Sequence, residues 1–313
     1  MKLVEAENNR LKNVFLLVLL ALCWGPSFFF IKIALREWSP FTIVSVRLSV
    51  AALILYLIVK FQRRSLWQWR HLWHRFAFMG LFGSALPFVL ITHSEQWISS
   101  SLAGIINGSP PIFTAFLAHY FIDAEKLTWR RIIGLLIGVS GLVAVFLPTL
   151  LDSTVGNGLG VAFVAIASFC YAMGMVYSRK YLMELPPMIG PTNQVLYGAI
   201  MTIPFMFIFE NPAVEFSNPS VTTMLSMLGL AFFGTVMAFV LYYAILRLAG
   251  ATYLSTATLL FPFVSIFMGV IFLHEQLDWN AYVGCGLIVI GLIIANKLLS
   301  AKDFTQIFGK RKF

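Results

Sequence analysis

Eight side chains that could bind a solute stand inside long apolar stretches of the chain. They offer one guanidinium, two amides, two hydroxyls and three aromatic rings, which suit hydrogen bonding and stacking against a small molecule. They are Trp24, Ser27, Arg47, Asn107, Tyr171, Gln194, Tyr242 and Thr258. They do not pair a nucleophile with a base, and no His, Cys, Asp or Glu cluster has metal-site spacing. We therefore expect binding without covalent catalysis: a protein that is not an enzyme and carries no metal or other cofactor.

Arg47 is the most informative of these residues, because a charge inside a membrane is costly and usually functional. It lies about seven residues inside an apolar run, roughly 10 Å from its end at 1.5 Å per residue. It could hold a substrate carboxylate, bind buried carbonyl groups, or extend its head outward to the membrane interface. Gln194, at the equivalent place in the second half of the chain, is polar but uncharged, which favours an ancestral structural site.

Asn107 and Thr258 belong to a small, polar helix face that occurs twice in the chain. Its members are Gly104, Asn107, Pro111, Thr114 and Ala118, and, 151 residues further on, Ser255, Thr258, Pro262, Ser265 and Gly269. Small faces of this kind pack membrane helices together, which is the better explanation for the outer members. Asn107 and Thr258 stand beside mid-span prolines and could equally face a cavity.

Trp24 and Tyr171 also occupy equivalent places in the two halves of the chain. They could stack on an apolar part of a solute or serve as core aromatics with a satisfied polar tip. Acidic residues are missing from the centre of the apolar runs, since Glu95, Glu210 and Glu275 fall at their ends. This argues against a carboxylate-based proton or sodium relay.

The elements that must position these residues are membrane-spanning helices. Of 313 residues, 59% are hydrophobic and 11% charged, whereas soluble domains carry roughly 25% charged residues. A span needs about 20 apolar residues. On that basis ten spans are predicted, near 13–35, 40–60, 74–97, 100–122, 130–148, 158–182, 187–210, 220–247, 250–273 and 278–299. The chain is predicted to be an all-α integral membrane protein embedded in a lipid bilayer.

The distribution of charge predicts how the chain is oriented. Most of the 22 Lys and Arg residues, which give the net charge of +9, fall in alternate connectors between the spans. That pattern marks the cytoplasmic side of a membrane protein, not a nucleic-acid surface. Both termini are therefore predicted to be cytoplasmic, most simply at a bacterial inner (plasma) membrane, and no nucleic-acid partner is expected.

The two halves of the chain resemble each other. An offset of 147 aligns Trp24 with Tyr171 and Lys32 with Arg179, and an offset of 151 aligns Gly83 with Gly234. We predict a first five-helix repeat at 1–152, a second at 153–299, and a basic cytoplasmic tail at 300–313. Because each repeat has five spans, an odd number, the copies must insert in opposite directions, as in many secondary transporters.

In this order and duplication, the chain resembles the EamA family of the drug/metabolite transporter superfamily. The resemblance is carried by Cys-Trp-Gly-Pro-Ser at 23–27, Arg47, Pro-Pro-Ile-Phe-Thr at 110–114 with Glu125-Lys126-Leu127, and Pro-Phe-Val-Ser at 262–265 with Glu275-Gln276-Leu277. It implies a ten-span exporter of amino acids, other metabolites or toxic compounds. Ala124 and His274 replace the Gly that usually precedes the Glu of this motif.

These features together predict a secondary transporter that moves a small metabolite by alternating access, most simply as an exporter of an amino acid or similar amphipathic solute. A channel or scramblase with non-saturable flux and a nucleotide-sugar or sugar-phosphate antiporter are the alternatives. The second half has no deep Lys or Arg to recognise phosphate, which disfavours the antiporter. The Gly-rich spans at 130–148 and 278–299 suggest a homodimer contact.

Overall fold

Helices make up almost all of the part of the chain that the structure describes. The computed structural model describes residues 2–122, 128–151 and 155–296, and these ranges contain no β-strand. Their α-helices are α1 Lys2–Trp24, α2 Ser27–Ala34, α3 Pro40–Phe61, α4 Trp73–Gly80, α5 Leu86–Ser94, α6 Ser100–Ile106, α7 Pro110–Phe121, α8 Trp129–Leu151, α9 Val155–Tyr181, α10 Ile189–Phe209, α11 Pro212–Glu215, α12 Val221–Ala231, α13 Ala238–Ser255, α14 Phe261–Leu273 and α15 Trp279–Asn296. The motif Glu125-Lys126-Leu127 with Ala124, the boundary at 152/153 and the tail at 300–313 lie outside the described residues.

Seven helical stretches in these ranges are long and apolar enough to cross a membrane. They are Asn13–Ala34, Pro40–Phe61, Trp67–Ser94, Ser100–Phe121, Gly158–Tyr181, Ile189–Phe209 and Val221–Ser255. Two shorter apolar helices, Phe261–Leu273 and Trp279–Gly291, follow them. The chain is therefore a multi-pass integral membrane protein. The stretch predicted to end at 247 runs on to Ser255, through non-helical backbone at Gly250, and leaves a shorter helix behind it.

Two of the predicted spans are broken in the middle. The predicted span 13–35 divides into α1 and α2 at Gly25-Pro26, because proline lacks the N–H that a continuous helix needs. A Cβ at Gly25 would lie 2.5 Å from Cγ1 of Val264, so glycine also lets α14 approach the break closely. The predicted span 100–122 divides into α6 and α7 just before Pro110. Both breaks bring irregular backbone to the interior, where protein can surround it.

Two π-helical segments, Leu81–Ala85 and Phe232–Met237, widen the helices that contain them. Each follows an α-helix directly, α4 in the first case and α12 in the second, and continues into the next helix. A π-segment disturbs the regular backbone hydrogen bonding, so carbonyl groups become available to side chains, and such segments often lie at functional sites.

Glycines bring α8 and α15 together within one chain. A Cβ on Gly141 would lie 2.7 Å from the Gly284 carbonyl oxygen, and one on Gly291 would lie 2.4 Å from that of Gly134. These are the Gly-rich spans that suggested a homodimer contact. Most of their glycines pack α8 against α15 inside the chain. The homodimer stays a prediction, but these glycines no longer support it.

Carboxylates join the helices at one end of the bundle, which we call the acidic end. Glu210 accepts hydrogen bonds from the backbone N–H groups of Phe41 and Thr42, at the start of α3. Glu275 accepts them from Ser100 and Ser101, at the start of α6. Glu37 accepts one from the backbone N–H of Ser220, at the start of α12. Hydrogen bonding to the side chain and the backbone of Ser220 lowers the pKa of the Glu37 carboxyl. Each carboxylate thus caps the positive end of a helix distant in sequence.

Arginines join the helices at the opposite end, which we call the basic end. They donate hydrogen bonds to backbone carbonyls of segments distant in sequence. The pairs are Arg64 with Pro187, Arg75 with Tyr181, Arg179 with Leu246 and Arg247 with Leu185. The two ends of the bundle are therefore held by side chains of opposite charge.

Candidate substrate cavity

All eight residues singled out in the sequence line one cavity at the centre of the bundle. The centre of a water molecule can occupy about 40 Å³ of this cavity. A cavity needs roughly 10–15 Å³ by that measure to hold one water. The cavity, as it stands in this conformation, therefore has room for very few water molecules.

Arg47 reaches across the cavity wall to the second half of the chain. Its Nε donates a hydrogen bond to Thr235 Oγ1 at 2.8 Å and its Nη2 donates to the Gly234 carbonyl at 2.9 Å. Its guanidinium carbon lies 3.8 Å from the centre of the Phe88 ring. The side chain is only 3% exposed, so an outward extension to the interface is wrong. Its partners are a carbonyl, a hydroxyl and an aromatic face.

The positive charge of Arg47 has no hydrogen-bonded carboxylate among the described residues, and its Nη1 makes no hydrogen bond to them. A buried ion without a counter-charge is costly, and a hydrogen bond between a guanidinium and an anionic group is among the stronger ones. The site can therefore accept an anionic group beside the guanidinium.

Gln194 makes the matching contact from the second half of the chain. Its Nε2 donates to the Gly83 carbonyl at 2.9 Å and to Ser84 Oγ at 3.0 Å. Its Oε1 accepts a hydrogen bond of 2.8 Å from the Tyr243 hydroxyl. Gly83 and Gly234 both belong to π-segments, so each polar residue binds the π-segment of the other half.

Aromatic rings form much of the remaining wall. The Trp24 indole N–H donates to the Gly234 carbonyl at 3.0 Å. Its ring makes edge contacts with Phe239, Tyr242 and Phe261, with centroids about 6 Å apart in each case. Tyr171 makes an edge contact with Phe88 on another side of the cavity, at 6.3 Å. These rings could hold an apolar or flat part of a solute.

Asn107 and Thr258 line the same part of the chain's interior, because Thr258 contacts Gly108, the residue after Asn107. The Thr258 hydroxyl donates to the Ser255 carbonyl at 2.8 Å, and it lies 3.3 Å from the Gly108 carbonyl. Asn107 Oδ1 accepts a hydrogen bond of 3.3 Å from Ser168. Both residues are almost fully buried and both line the cavity.

The outer members of the same small face pack helix against helix. A Cβ on Gly104 would lie 2.1 Å from Ser265 Oγ, so α6 and α14 touch at this point. A Cβ on Gly269 would lie 2.1 Å from Ser101 Oγ. The outer positions of this helix face therefore pack helices together, whereas Asn107 and Thr258 line the cavity.

Ser27 adds an unused polar group to the cavity. Its Oγ is buried without a hydrogen-bond partner among the described residues and would lie 2.7 Å from a Cβ on Gly234. An unpartnered buried hydroxyl beside a cavity is available to a ligand or to water.

The sequence did not single out several groups that complete the site. Phe88, which stacks under Arg47, and Thr235, which accepts its hydrogen bond, were not recognised as site residues. The match between Phe88 and Phe239 in the two halves was a usable signal, since both line the cavity. The π-segments had no signal in the residue pattern. No group of three or more potential metal ligands occurs within the described ranges.

Taken together, the fold and the cavity define a multi-pass helical membrane protein with an internal cavity lined by polar and aromatic side chains. The sequence profile of the EamA-like transporter family matches residues 11–147 and again 158–297. The chain belongs to this family, and it is therefore a membrane transporter. The resemblance found in the sequence is confirmed.

Curated relatives cover nearly the whole chain. An uncharacterized transporter of Archaeoglobus fulgidus is 27% identical, over 91% of this chain and 98% of its own length. The uncharacterized transporter YoaV of Bacillus subtilis is 25% identical, over 89% and 94%. The uncharacterized inner membrane transporter YedA of Escherichia coli is 25% identical, over 88% and 87%. A crystal structure with 17% sequence identity shares the fold, with a TM-score of 0.68 over 92% of this chain and 98% of that one.

Proposed function

We propose that this chain is a secondary transporter that moves a small amphipathic metabolite by alternating access, with the eight predicted residues forming its substrate site. The observation that carries the proposal is a charged, incompletely bonded Arg47 in a closed aromatic cavity between two similar halves. The Arg47 charge would recognise an anionic group of the solute, and movement of the two halves relative to each other would open the site to each side in turn.

Two inverted repeats, at 1–152 and 153–299, are the architecture that this mechanism needs. The hydrogen bond from Arg47 to Gly234 and the one from Gln194 to Gly83 join equivalent residues, so aligning one half on the other turns each pair into the other. The π-segments Leu81–Ala85 and Phe232–Met237 start 151 residues apart, which is the offset found in the sequence. These contacts support ten spans in two halves of opposite direction, although fewer than ten are long helices within the described ranges.

The residues of the cavity favour a solute with a carboxylate and an apolar or aromatic body. An anionic group would pair with Arg47 Nη1, and charge-assisted hydrogen bonds of this kind are the strong ones. Asn107, Thr258 and Ser27 could hold a second polar group. An amino acid fits this pattern, and so do other amphipathic carboxylates.

Contacts at both ends of the bundle support alternating access over a channel or scramblase. Carboxylates join the helices at the acidic end and arginines join them at the basic end, and the cavity between them leaves only about 40 Å³ to the centre of a water molecule. A nucleotide-sugar or sugar-phosphate antiporter would need several cations at the site, whereas Arg47 is the one Lys or Arg among the described residues that line the cavity. Export, a bacterial inner membrane and cytoplasmic termini complete the proposal.

The test is saturable transport in proteoliposomes. A metabolite panel is first screened by thermal stabilisation, and the hits are then used in counterflow. Asn107→Ala and Trp24→Ala should each raise KM or lower the rate several-fold, because they remove a polar and an aromatic part of the wall. Ser140→Ala, whose exposed hydroxyl bonds only its own helix at Ile137, should transport normally.

Flux that rises linearly with solute concentration would contradict alternating access. Normal kinetics in both cavity variants would contradict the assignment of the site, even if transport saturates.

A further inference from the structure

Glu95 carries a buried carboxyl group that does not belong to the proposed substrate site. It follows α5 immediately at the acidic end and is 0% exposed. Neither of its carboxylate oxygens has a hydrogen-bond partner among the described residues. The glutamates at 37, 210 and 275, by contrast, each cap the start of a helix. Glu95 stands instead at the C-terminal end of a helix, where the dipole disfavours a negative charge.

The other half of the protein places a leucine at the matching position. Lys32 donates hydrogen bonds to the Glu95 carbonyl and, at 2.9 Å, to the Ile98 carbonyl. Arg179, the counterpart of Lys32, donates likewise to the carbonyl of Leu246. Glu95 and Leu246 are separated by the same offset of 151. The first half therefore has an acid, Glu95, at a buried position where the second half has the apolar Leu246.

Charged groups from three sides act on Glu95. Lys32 approaches from α2 and Arg47 from α3, while Glu275 approaches from the segment after α14. Burial raises the pKa of the Glu95 carboxyl well above its usual range, Lys32 and Arg47 oppose that shift, and Glu275 adds to it. Arg36 borders the same polar recess, and His93, on α5 itself, turns toward Phe41. On the facing part of α9, residues 158–164 carry no ionisable side chain.

We propose that Glu95 is a proton-binding site that couples closure of the acidic end to its protonation. In the closed protein the carboxyl is neutral, and the Lys32 ammonium stays on the backbone carbonyls. When the acidic end opens, water from the recess bounded by Lys32, Arg36 and Glu275 reaches the carboxyl and takes its proton. The carboxylate then attracts Lys32 away from those carbonyls.

The coupling can reach the solute because α2 and α5 both extend from this cluster to the central cavity. Ser27 and Phe28 on α2 line that cavity, as do Phe88 and Ile91 on α5. Because closure raises the affinity of the carboxyl for its proton, the closed form is favoured at low pH. That advantage is lost as the pH rises through the raised pKa.

The first test is an infrared titration of the purified full-length protein in detergent, without any solute. The wild type should show the carbonyl stretch of a protonated carboxyl at neutral pH, disappearing only above the usual glutamate range. Glu95→Gln and Glu95→Leu, the residue that the other half uses, should lose this band. Glu210→Gln, which alters a carboxylate that caps α3 at the same end and is not among the groups acting on Glu95, should keep it. A band that survives in Glu95→Gln, or that is missing from the wild type, would overturn the proposal.

The second test measures opening of the acidic end. Cys23, Cys170 and Cys285 are replaced by alanine, and Ser100→Cys is introduced as a reporter. Ser100 is 1% exposed and its hydroxyl has no partner among the described residues, so the substitution removes no hydrogen bond made by that hydroxyl. A maleimide reacts with it only when the end opens, and exposed Asn218→Cys corrects for the pH dependence of the thiol itself.

The corrected labelling rate should rise by about tenfold per pH unit across the titration, because opening releases one proton. In Glu95→Gln it should stay low and independent of pH. A rate independent of pH in the wild type, or an equal slope in Glu95→Gln, would show that the proton does not control opening. This proposal rests on the alternating access proposed above, but neither test needs a solute. If both succeed and no solute is transported, only the proposed function fails.

Discussion

At the scale of single residues, the contacts of Arg47 are compatible with both a structural role and the binding role proposed for it. Two of its donors hold the π-segment of the other half, through Thr235 and the Gly234 carbonyl. Its remaining amino group and its charge are left for the cavity. The two explanations offered by the sequence, a carbonyl-binding anchor and a carboxylate-binding site, are therefore compatible in one side chain.

Arg47→Gln should weaken binding of an anionic solute by about 10- to 100-fold, since a hydrogen bond to a charged group contributes about 1.5–3 kcal/mol. Thermal-shift titration and counterflow KM measure the loss, with the solute that stabilises the wild type. Arg130→Gln, which removes an exposed charge outside the cavity, should change little. The amide of the same solute, which lacks the carboxylate, should discriminate far less between the wild type and the Arg47→Gln variant. An equal loss for acid and amide would mean that Arg47 acts only by holding the wall.

At the scale of elements, the site depends on interruptions in the helices. The breaks at Gly25-Pro26 and before Pro110 bring polar backbone to the centre of the bundle. The π-segments present carbonyls that Arg47, Trp24 and Gln194 bind. Continuous helices would satisfy these groups internally, and the side chains would lose their partners. The close contact of α6 with α14, where Gly104 faces Ser265, packs the helix that ends just before Asn107.

Gly104→Ala should therefore destabilise the protein by about 1–3 kcal/mol, the usual cost of overpacking, because its Cβ would meet Ser265. In a Ser265→Gly background the same substitution should cost much less, since the clash is relieved. Thermal unfolding of the four proteins of this cycle in one detergent measures the coupling. Gly286→Ala, where a Cβ meets nothing within 4 Å among the described residues, is the control and should be neutral or slightly stabilising. If the effects of the two substitutions simply add, the clash between residues 104 and 265 does not contribute to the loss of stability, and the prediction is wrong.

At the scale of the whole molecule, the two ends use opposite charges in one scheme. Carboxylates cap helix starts at the acidic end, and arginines bind backbone carbonyls at the basic end. Each arrangement is a set of individually modest contacts, most of them between distant segments, that water could replace. This suits the alternating access proposed above.

The excess of positive charge predicts that the basic end faces the cytoplasm. In a protein without its three cysteines, Asn218→Cys at the acidic end should react with a membrane-impermeant maleimide in intact cells. Gln62→Cys at the basic end should react only after the membrane is permeabilised. Both positions are exposed, so access alone decides the result, and the reverse pattern would overturn the orientation.

The sequence by itself determined the membrane setting and the family, and it singled out eight of the residues that line the cavity. Composition and apolar length follow directly from the lipid solvent, and the internal offsets paired Arg47 with Gln194 and Trp24 with Tyr171 before any contact was known. It also placed Glu95 at the end of a span, which is correct for its position along the helix.

Only the tertiary structure decided which groups meet and which are left without partners. The carbonyls of Gly83 and Gly234 become binding partners through π-segments, which have no residue signature. The burial of Glu95 likewise depends on α2, α9 and the segment after α14 closing over it. Position along a helix can be read from periodicity, but solvation and hydrogen-bond satisfaction depend on contacts between segments far apart in the chain. The two properties on which the proposals rest, an Arg47 guanidinium without a hydrogen-bonded carboxylate and a Glu95 carboxyl without a hydrogen-bond partner among the described residues, are of that second kind.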